Sequence, residues 1–179
     1  IFVIGLILSF FNSKFRQGVI GRFRSQSELK KFFKSISSTT DVYWFHAASL
    51  GEFYQVKPVL EGLKNVEPEC VAVVSFSSPS GYDNAKSDDI DLRIYMPFDF
   101  LWSVRRALKI TRPKKVIFAS YDIWPNMVWM AEKRNIHTNI FAARLKEGSL
   151  KLKSGFFSFY KSVYQSISTI YTVAEKDYK

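Results

Sequence analysis

The chain has 179 residues, with 26 Lys or Arg against 16 Asp or Glu and a formal net charge of +10 at pH 7. That length holds one full α/β domain with a genuine core and is short for two, and a single cysteine, Cys70, excludes an internal disulfide. The basic excess points to a polyanionic partner: nucleic acid, an anionic membrane or a phosphorylated substrate.

Residues 1–40 read as a hydrophobic, then basic, membrane-associated segment. The apolar run Ile1 to Phe11 is too short to cross a bilayer, which needs ~20 residues. Lys14, Arg16, Arg22, Arg24, Lys30, Lys31 and Lys34 follow, opposed only by Glu28, as in a segment at a cytoplasmic membrane surface. An ordinary N-terminal helix with a solvated face fits equally. Ser35 to Asp41 reads as a polar linker. From Val42 onward strand and helix patterns alternate. The first strand, Val42 to Ala47, precedes a small-residue turn and a helix from Glu52 to Lys64. The second, Cys70 to Phe76, leads to the turn Ser77–Gly81 and a short helix from Tyr82, with Cys70 a buried free thiol. Leu92 to Met96 precedes a helix over Leu101 to Ile110, and Lys115 to Ala119 precedes one over Asn126 to Arg134. Thr138 to Ala142 precedes a helix through Tyr164. A last strand, Thr169 to Val173, ends before a helix start at Glu175. Such alternation predicts right-handed crossovers and a mainly parallel, Rossmann-like sheet with helices on both faces, in one domain over residues 41–179.

In a parallel sheet the turns after the strands share one edge, where ligands bind. Those turns carry His46, Ser49, Gly51 and Glu52; Ser77, Ser78, Ser80 and Gly81; Asp99; Ser120 and Asp122; and Arg144. A carboxylate at Glu52 faces such a site, but it also simply suits a helix N-terminus. His46 ends an apolar strand, where a hydrogen-bonded core histidine is the plain alternative. The serine-rich turn offers hydroxyls and N–H groups for a phosphate or carboxylate. Asp122 before Trp124-Pro125 also suits a helix cap. Arg144 also reads as a surface charge. There is no G-x-G-x-x-G, Walker A or G-x-S-x-G pattern and no zinc-spaced Cys/His cluster, so no metal site is expected.

Together, H-A-A-S-L-G-E (His46 to Glu52), S-S-P-S-G (Ser77 to Gly81), M-P-F-D (Met96 to Asp99), D-I-W-P-N (Asp122 to Asn126) and A-A-R-L (Ala142 to Leu145) resemble the N-terminal domain of bacterial Kdo transferases. The resemblance implies the acceptor-binding half of a GT-B glycosyltransferase, whose C-terminal donor domain is absent from this chain, so that the fragment alone is inactive. It implies transfer of 3-deoxy-D-manno-oct-2-ulosonic acid (Kdo) from CMP-Kdo to the lipid A precursor, with inversion and without metal or other cofactor. It places the enzyme at the cytoplasmic face of the bacterial inner membrane. Glu52 is then the base, Asp122 a second catalytic carboxylate, and His46, the turn serines and glycines, Ser120 and Arg144 bind substrate.

The family pattern E-T-E-L-W-P reads S-Y-D-I-W-P here, so Ser120 replaces one glutamate and Asp122 another. N-A-R-L-S reads A-A-R-L-K, with Ala142 and Lys146 in place of Asn and Ser. These departures leave open a divergent or non-catalytic homologue. A basic nucleic-acid-binding module is the competing class, but no nucleic-acid motif is present and much of the basic density precedes the expected fold.

Overall fold

All six residues of β1 (Val42–Ala47) are buried, as a β-branched and aromatic run covered on both faces requires. The computed structural model describes residues 13–120, 122–143 and 154–173. Around β1 the remaining elements follow in chain order: α1 (Ser13–Phe32) before it, then α2 (Leu50–Val66), β2 (Val71–Phe76), α3 (Pro79–Asn84), β3 (Leu92–Tyr95), α4 (Leu101–Thr111), β4 (Lys115–Ala119), α5 (Pro125–Glu132), β5 (His137–Ala143), α6 (Ser154–Gln165) and β6 (Thr169–Thr172). The six strands form one sheet in the order β3-β2-β1-β4-β5-β6, every neighbouring pair parallel. This is the doubly wound Rossmann order, and the direction of winding reverses between β1 and β4.

Alternate residues of β1 feed two separate cores. Tyr43, Phe45 and Ala47 pack with Phe53, Val56 and Leu60 of α2. Val42 and Trp44 pack on the other face with Leu29 of α1, Val104 and Leu108 of α4 and Met127 of α5. Cys70 is a buried free thiol. Two helices begin earlier than their apolar spacing indicates. Ser49 caps α2 and Ser78 caps α3, with Pro79 in the first turn, so residues read as turns supply the opening helical turns.

The segment expected to lie outside the sheet domain does not stand apart in its described part. α1 packs on β3 and α4, with Ser25 and Leu29 fully buried. Gly21 makes the approach possible, because a Cβ there would lie 2.1 Å from Cδ2 of Tyr95. Ile1–Phe11, Arg144, Lys146 and Glu175 lie outside the described residues. Among the described residues no helix is long and apolar enough to cross a membrane.

Candidate functional site

Sheet register builds the site around His46. It lies beside Ser75 of β2 and Phe118 of β4, fully buried, at the carboxyl end of β1 where the winding reverses. Its Nδ1 is 3.0 Å from Ser75 Oγ. That hydroxyl also accepts the Trp44 indole N–H at 2.8 Å and donates to the Phe45 carbonyl at 3.2 Å. Two donors into Ser75 and one out of it use its hydrogen-bonding capacity fully and orient the ring.

The other ring nitrogen, Nε2, points at the rim. Trp124 Nε1–H donates to it at 3.1 Å, Asp122 Oδ2 lies at 3.1 Å and Ser77 Oγ at 3.3 Å. Ser77 Oγ donates to the same carboxylate oxygen at 2.8 Å. An indole N–H can only donate, so the ring that accepts it carries its proton on Nδ1; a second proton on Nε2 would be directed at Asp122. Burial pushes the Asp122 carboxyl up, but with a proton on Nε2 the hydrogen bond and the charge of His46, together with hydrogen bonds from Ser77 and Trp124, outweigh it and hold the group at about 2.

Glu52 sits in the first turn of α2. Its Oε2 accepts the Ala48 N–H at 2.6 Å while its own N–H donates to Ser49 Oγ at 3.3 Å. This is a capping arrangement, and it also fixes the carboxylate at the rim. Burial raises its pKa; the Ala48 N–H opposes the shift, repulsion from Asp122 adds to it and His46 opposes it. Glu52, Asp122 and His46 therefore form one electrostatic unit.

The other expected residues divide. Ser77 joins the His46–Asp122 pair directly. Ser78 spends its hydroxyl on the Gly81 N–H, and the exposed Ser80 bonds Ser78 at 3.2 Å. Gly81 serves close packing, since a Cβ would come within 2.6 Å of Phe76 and 3.1 Å of the Ser49 backbone. That contact and the Ser78 N–H to Ala48 carbonyl bond of 3.0 Å lock the loops after β1 and β2 together. Gly51 has room, with nothing nearer than 3.8 Å to an added Cβ. Ser120, at φ 59°, donates to Gln55 Oε1 at 3.1 Å, so it touches α2 one turn beyond Glu52. Asp99 accepts the Asn126 and Met127 N–H groups at 3.0 and 3.1 Å, acting as the N-terminal cap of α5. Asp122 does not cap that helix, whose N-cap residue, Trp124, makes no side-chain cap bond. Arg144 lies outside the described residues.

Sequence reading did not single out Arg22, Ser75, Trp44, Gln55 or Trp124. Arg22 reaches the rim from α1. It donates to the Met96 carbonyl at 3.0 Å, lies 3.4 Å from the Ser77 carbonyl, and stacks 4.7 Å from the Trp124 ring centroid. Burial lowers its pKa and Asp122 opposes that shift. In the sequence Trp124 enters only as part of the D-I-W-P-N motif. Among the described residues no group of three or more His, Cys, Asp or Glu could hold a metal ion.

Comparison with known proteins places this chain in a family. Residues 21–179 match the family model described as 3-Deoxy-D-manno-octulosonic-acid transferase (kdotransferase). A 3-deoxy-D-manno-octulosonic acid transferase of Aquifex aeolicus is 31% identical over 118 residues, covering 64% of this chain and 33% of its own length. Those of Haemophilus influenzae and Chlamydophila psittaci are 27% and 25% identical, covering 71% and 76% of this chain and 30% and 33% of theirs. The chain thus spans about a third of the length of the curated relatives it matches. With its Rossmann-like sheet and the family model matched from residue 21 onward, the chain belongs to the Kdo transferase family, as its N-terminal domain.

Proposed function

We propose that this chain is the acceptor-binding half of an inverting enzyme that moves Kdo from CMP-Kdo to the lipid A precursor, with Glu52 as general base. The observation that carries the reading is Glu52 itself, a carboxylate held by the Ala48 N–H at the switch-point rim and made more basic by burial. In the reaction an acceptor hydroxyl attacks the anomeric carbon of Kdo. The bond from that carbon to the phosphate oxygen of CMP breaks, CMP leaves with the electron pair, and the hydroxyl proton passes to Glu52. Oε2 is engaged by the backbone, so Oε1 is the oxygen that takes the proton. A positioned base of this kind contributes ~10²–10⁴-fold. Attack from the side opposite CMP inverts the anomeric centre.

Asp122 stays ionised at the working pH, since its hydrogen bonds hold it at about 2. Its negative charge, beside His46, favours the positive character that develops on the sugar ring. The donor nucleotide belongs to a further domain facing this rim, as the resemblance implies. An anionic membrane surface suits the outer face of α1 and α4. Phe23, Leu101 and Trp102 are 58%, 55% and 68% exposed there, and Arg24, Arg105, Arg106 and Lys109 are exposed on the same two helices.

The test is transfer of Kdo from CMP-Kdo to lipid A precursor by the full-length protein and by Glu52→Gln. We expect turnover in the first and a loss of at least ~10²-fold in the second. Near-normal turnover by Glu52→Gln removes the base assignment. One observation favours a second reading, a non-catalytic homologue: Ser120 stands where the family pattern carries a glutamate. On that reading the wild-type protein is inert and Ser120→Glu gains activity.

A further inference from the structure

We propose that Arg22 is a positioning residue of this site, tying the loops after β2, β3 and β4 together from α1. The proposal rests on the transferase reading for its effect on turnover. The contacts themselves do not depend on that reading. Arg22 donates to the Met96 carbonyl at 3.0 Å, reaches toward the Ser77 carbonyl at 3.4 Å, and lies over the Trp124 indole at 4.7 Å from its centroid.

Each of those loops matters to His46 or to what holds it. The Ser77 hydroxyl donates to Asp122 at 2.8 Å, and the Trp124 N–H donates to His46 Nε2 at 3.1 Å. The backbone of Ser77 and the ring of Trp124 are therefore both held by one guanidinium. Met96 adds a second link to the same loops, because its N–H bonds the Phe76 carbonyl at 2.9 Å, next to Ser77. A planar fork that bonds two carbonyls and stacks on an indole is specific to arginine; a lysine supplies only a point charge.

Helix α1 is built to bring this side chain in. Gly21 lets the helix approach Tyr95 where any Cβ would collide, and the next residue along is Arg22. Gln26, one turn further on, donates to the Ser103 carbonyl at 2.8 Å and so fixes the helix against α4. The basic helix thus forms one wall of the site.

The test uses the full-length protein with 5-fluorotryptophan, the Trp124 resonance being assigned by its loss in Trp124→Phe. Arg22→Met should shift that resonance, and Lys86→Met, an exposed charge change elsewhere, should not. Arg22→Met should also lower kcat by up to about 10²-fold with a much smaller change in KM, because a displacement of about an ångström at a reacting centre costs that much. Arg22→Lys should recover part of the loss. In a double-mutant cycle, adding Arg22→Met to Trp124→Phe should cost little more than Trp124→Phe alone. An unmoved fluorine resonance, wild-type kcat in Arg22→Met, or losses that simply multiply would each overturn the proposal. If Arg22→Met fails to fold, Arg22→Lys carries the same cycle and the same resonance. If the wild-type protein transfers no Kdo, the functional reading fails, while the fluorine shift still decides whether Arg22 holds Trp124.

Discussion

Three polar neighbours converge on one nitrogen of His46, and Trp44 through Ser75 orders the other. At this scale the site separates two carboxylates into different states. Burial raises Glu52, while hydrogen bonds hold Asp122 at about 2. A base whose pKa is raised is ionised only above that value, so the acid limb of kcat/KM should lie above the ordinary glutamate value of 4.5. A pH–rate profile of the full-length enzyme checks this, and a limb at or below 4.5 would contradict it. The same raised pKa means that ionising Glu52 costs stability at neutral pH. Glu52→Gln should therefore leave Tm at pH 7 unchanged or higher while transfer falls by at least ~10²-fold, a combination that thermal melts and assays of one preparation can read. Asp122 has the opposite sign. Its folded pKa lies below the unfolded value of 3.8, so its contribution is present above that pH and is lost as pH falls toward 2. The Tm gap between wild type and Asp122→Asn should accordingly narrow across that window.

At the scale of elements, close backbone approaches hold the rim. Gly→Ala inside a helix ordinarily stabilises by up to ~1 kcal/mol. Gly21→Ala should instead destabilise by about 1–3 kcal/mol, because Tyr95 is buried and stacked on Tyr82 at 4.3 Å and has no room to yield. Gly81→Ala should behave alike, the obstacle there being the Ser49 backbone and the Phe76 ring. Urea unfolding with unchanged m-values would measure both. Ala142 presents the reverse case. It sits at φ 54°, a left-handed conformation at the end of β5, where the family pattern has asparagine. Ala142→Gly or Ala142→Asn should stabilise by about 1 kcal/mol, since alanine bears a steric cost there that glycine escapes and asparagine lessens.

At the scale of the whole molecule, the sheet divides the chain into two differently used faces. α2 and α3 cover one face and carry Glu52 and the serine-rich cap. α1, α4 and α5 cover the other and bring in Arg22 and Trp124, so the site draws on both layers at the winding reversal. Outward from α1 and α4, aromatic side chains form a continuous row: Phe98 packs 4.9 Å from Phe23, Phe100 lies 5.7 Å from Phe98, and Trp102 lies 5.7 Å from Phe100. If this face meets an anionic bilayer, co-sedimentation of the full-length protein with anionic vesicles should weaken with added salt. It should weaken further with Trp102→Ser. Binding indifferent to both would remove the membrane from the account.

Strand and helix alternation was legible because a chain buried on both faces of a parallel sheet has to write its strands as unbroken apolar runs, as Val42–Ala47 and Val71–Phe76 do. The turns that gather at one edge follow from parallel winding alone, so His46, Glu52, Ser77 and Asp122 could be named together from their positions at or just beyond strand ends. What they do to one another could not. The Ser75 hydroxyl looks like any strand serine until register sets it beside His46, and Gly81 looks like part of an anion cradle until it is seen wedged against Ser49. Arg22 is the clearest case: linear order puts it in a basic stretch 20 residues before the first strand, and only the packing of α1 on β3 carries it to Trp124. Periodicity and turn chemistry act between near neighbours and are written locally. Hydrogen-bond partnership across loops is a property of distance in space, and it exists only once the sheet has assembled.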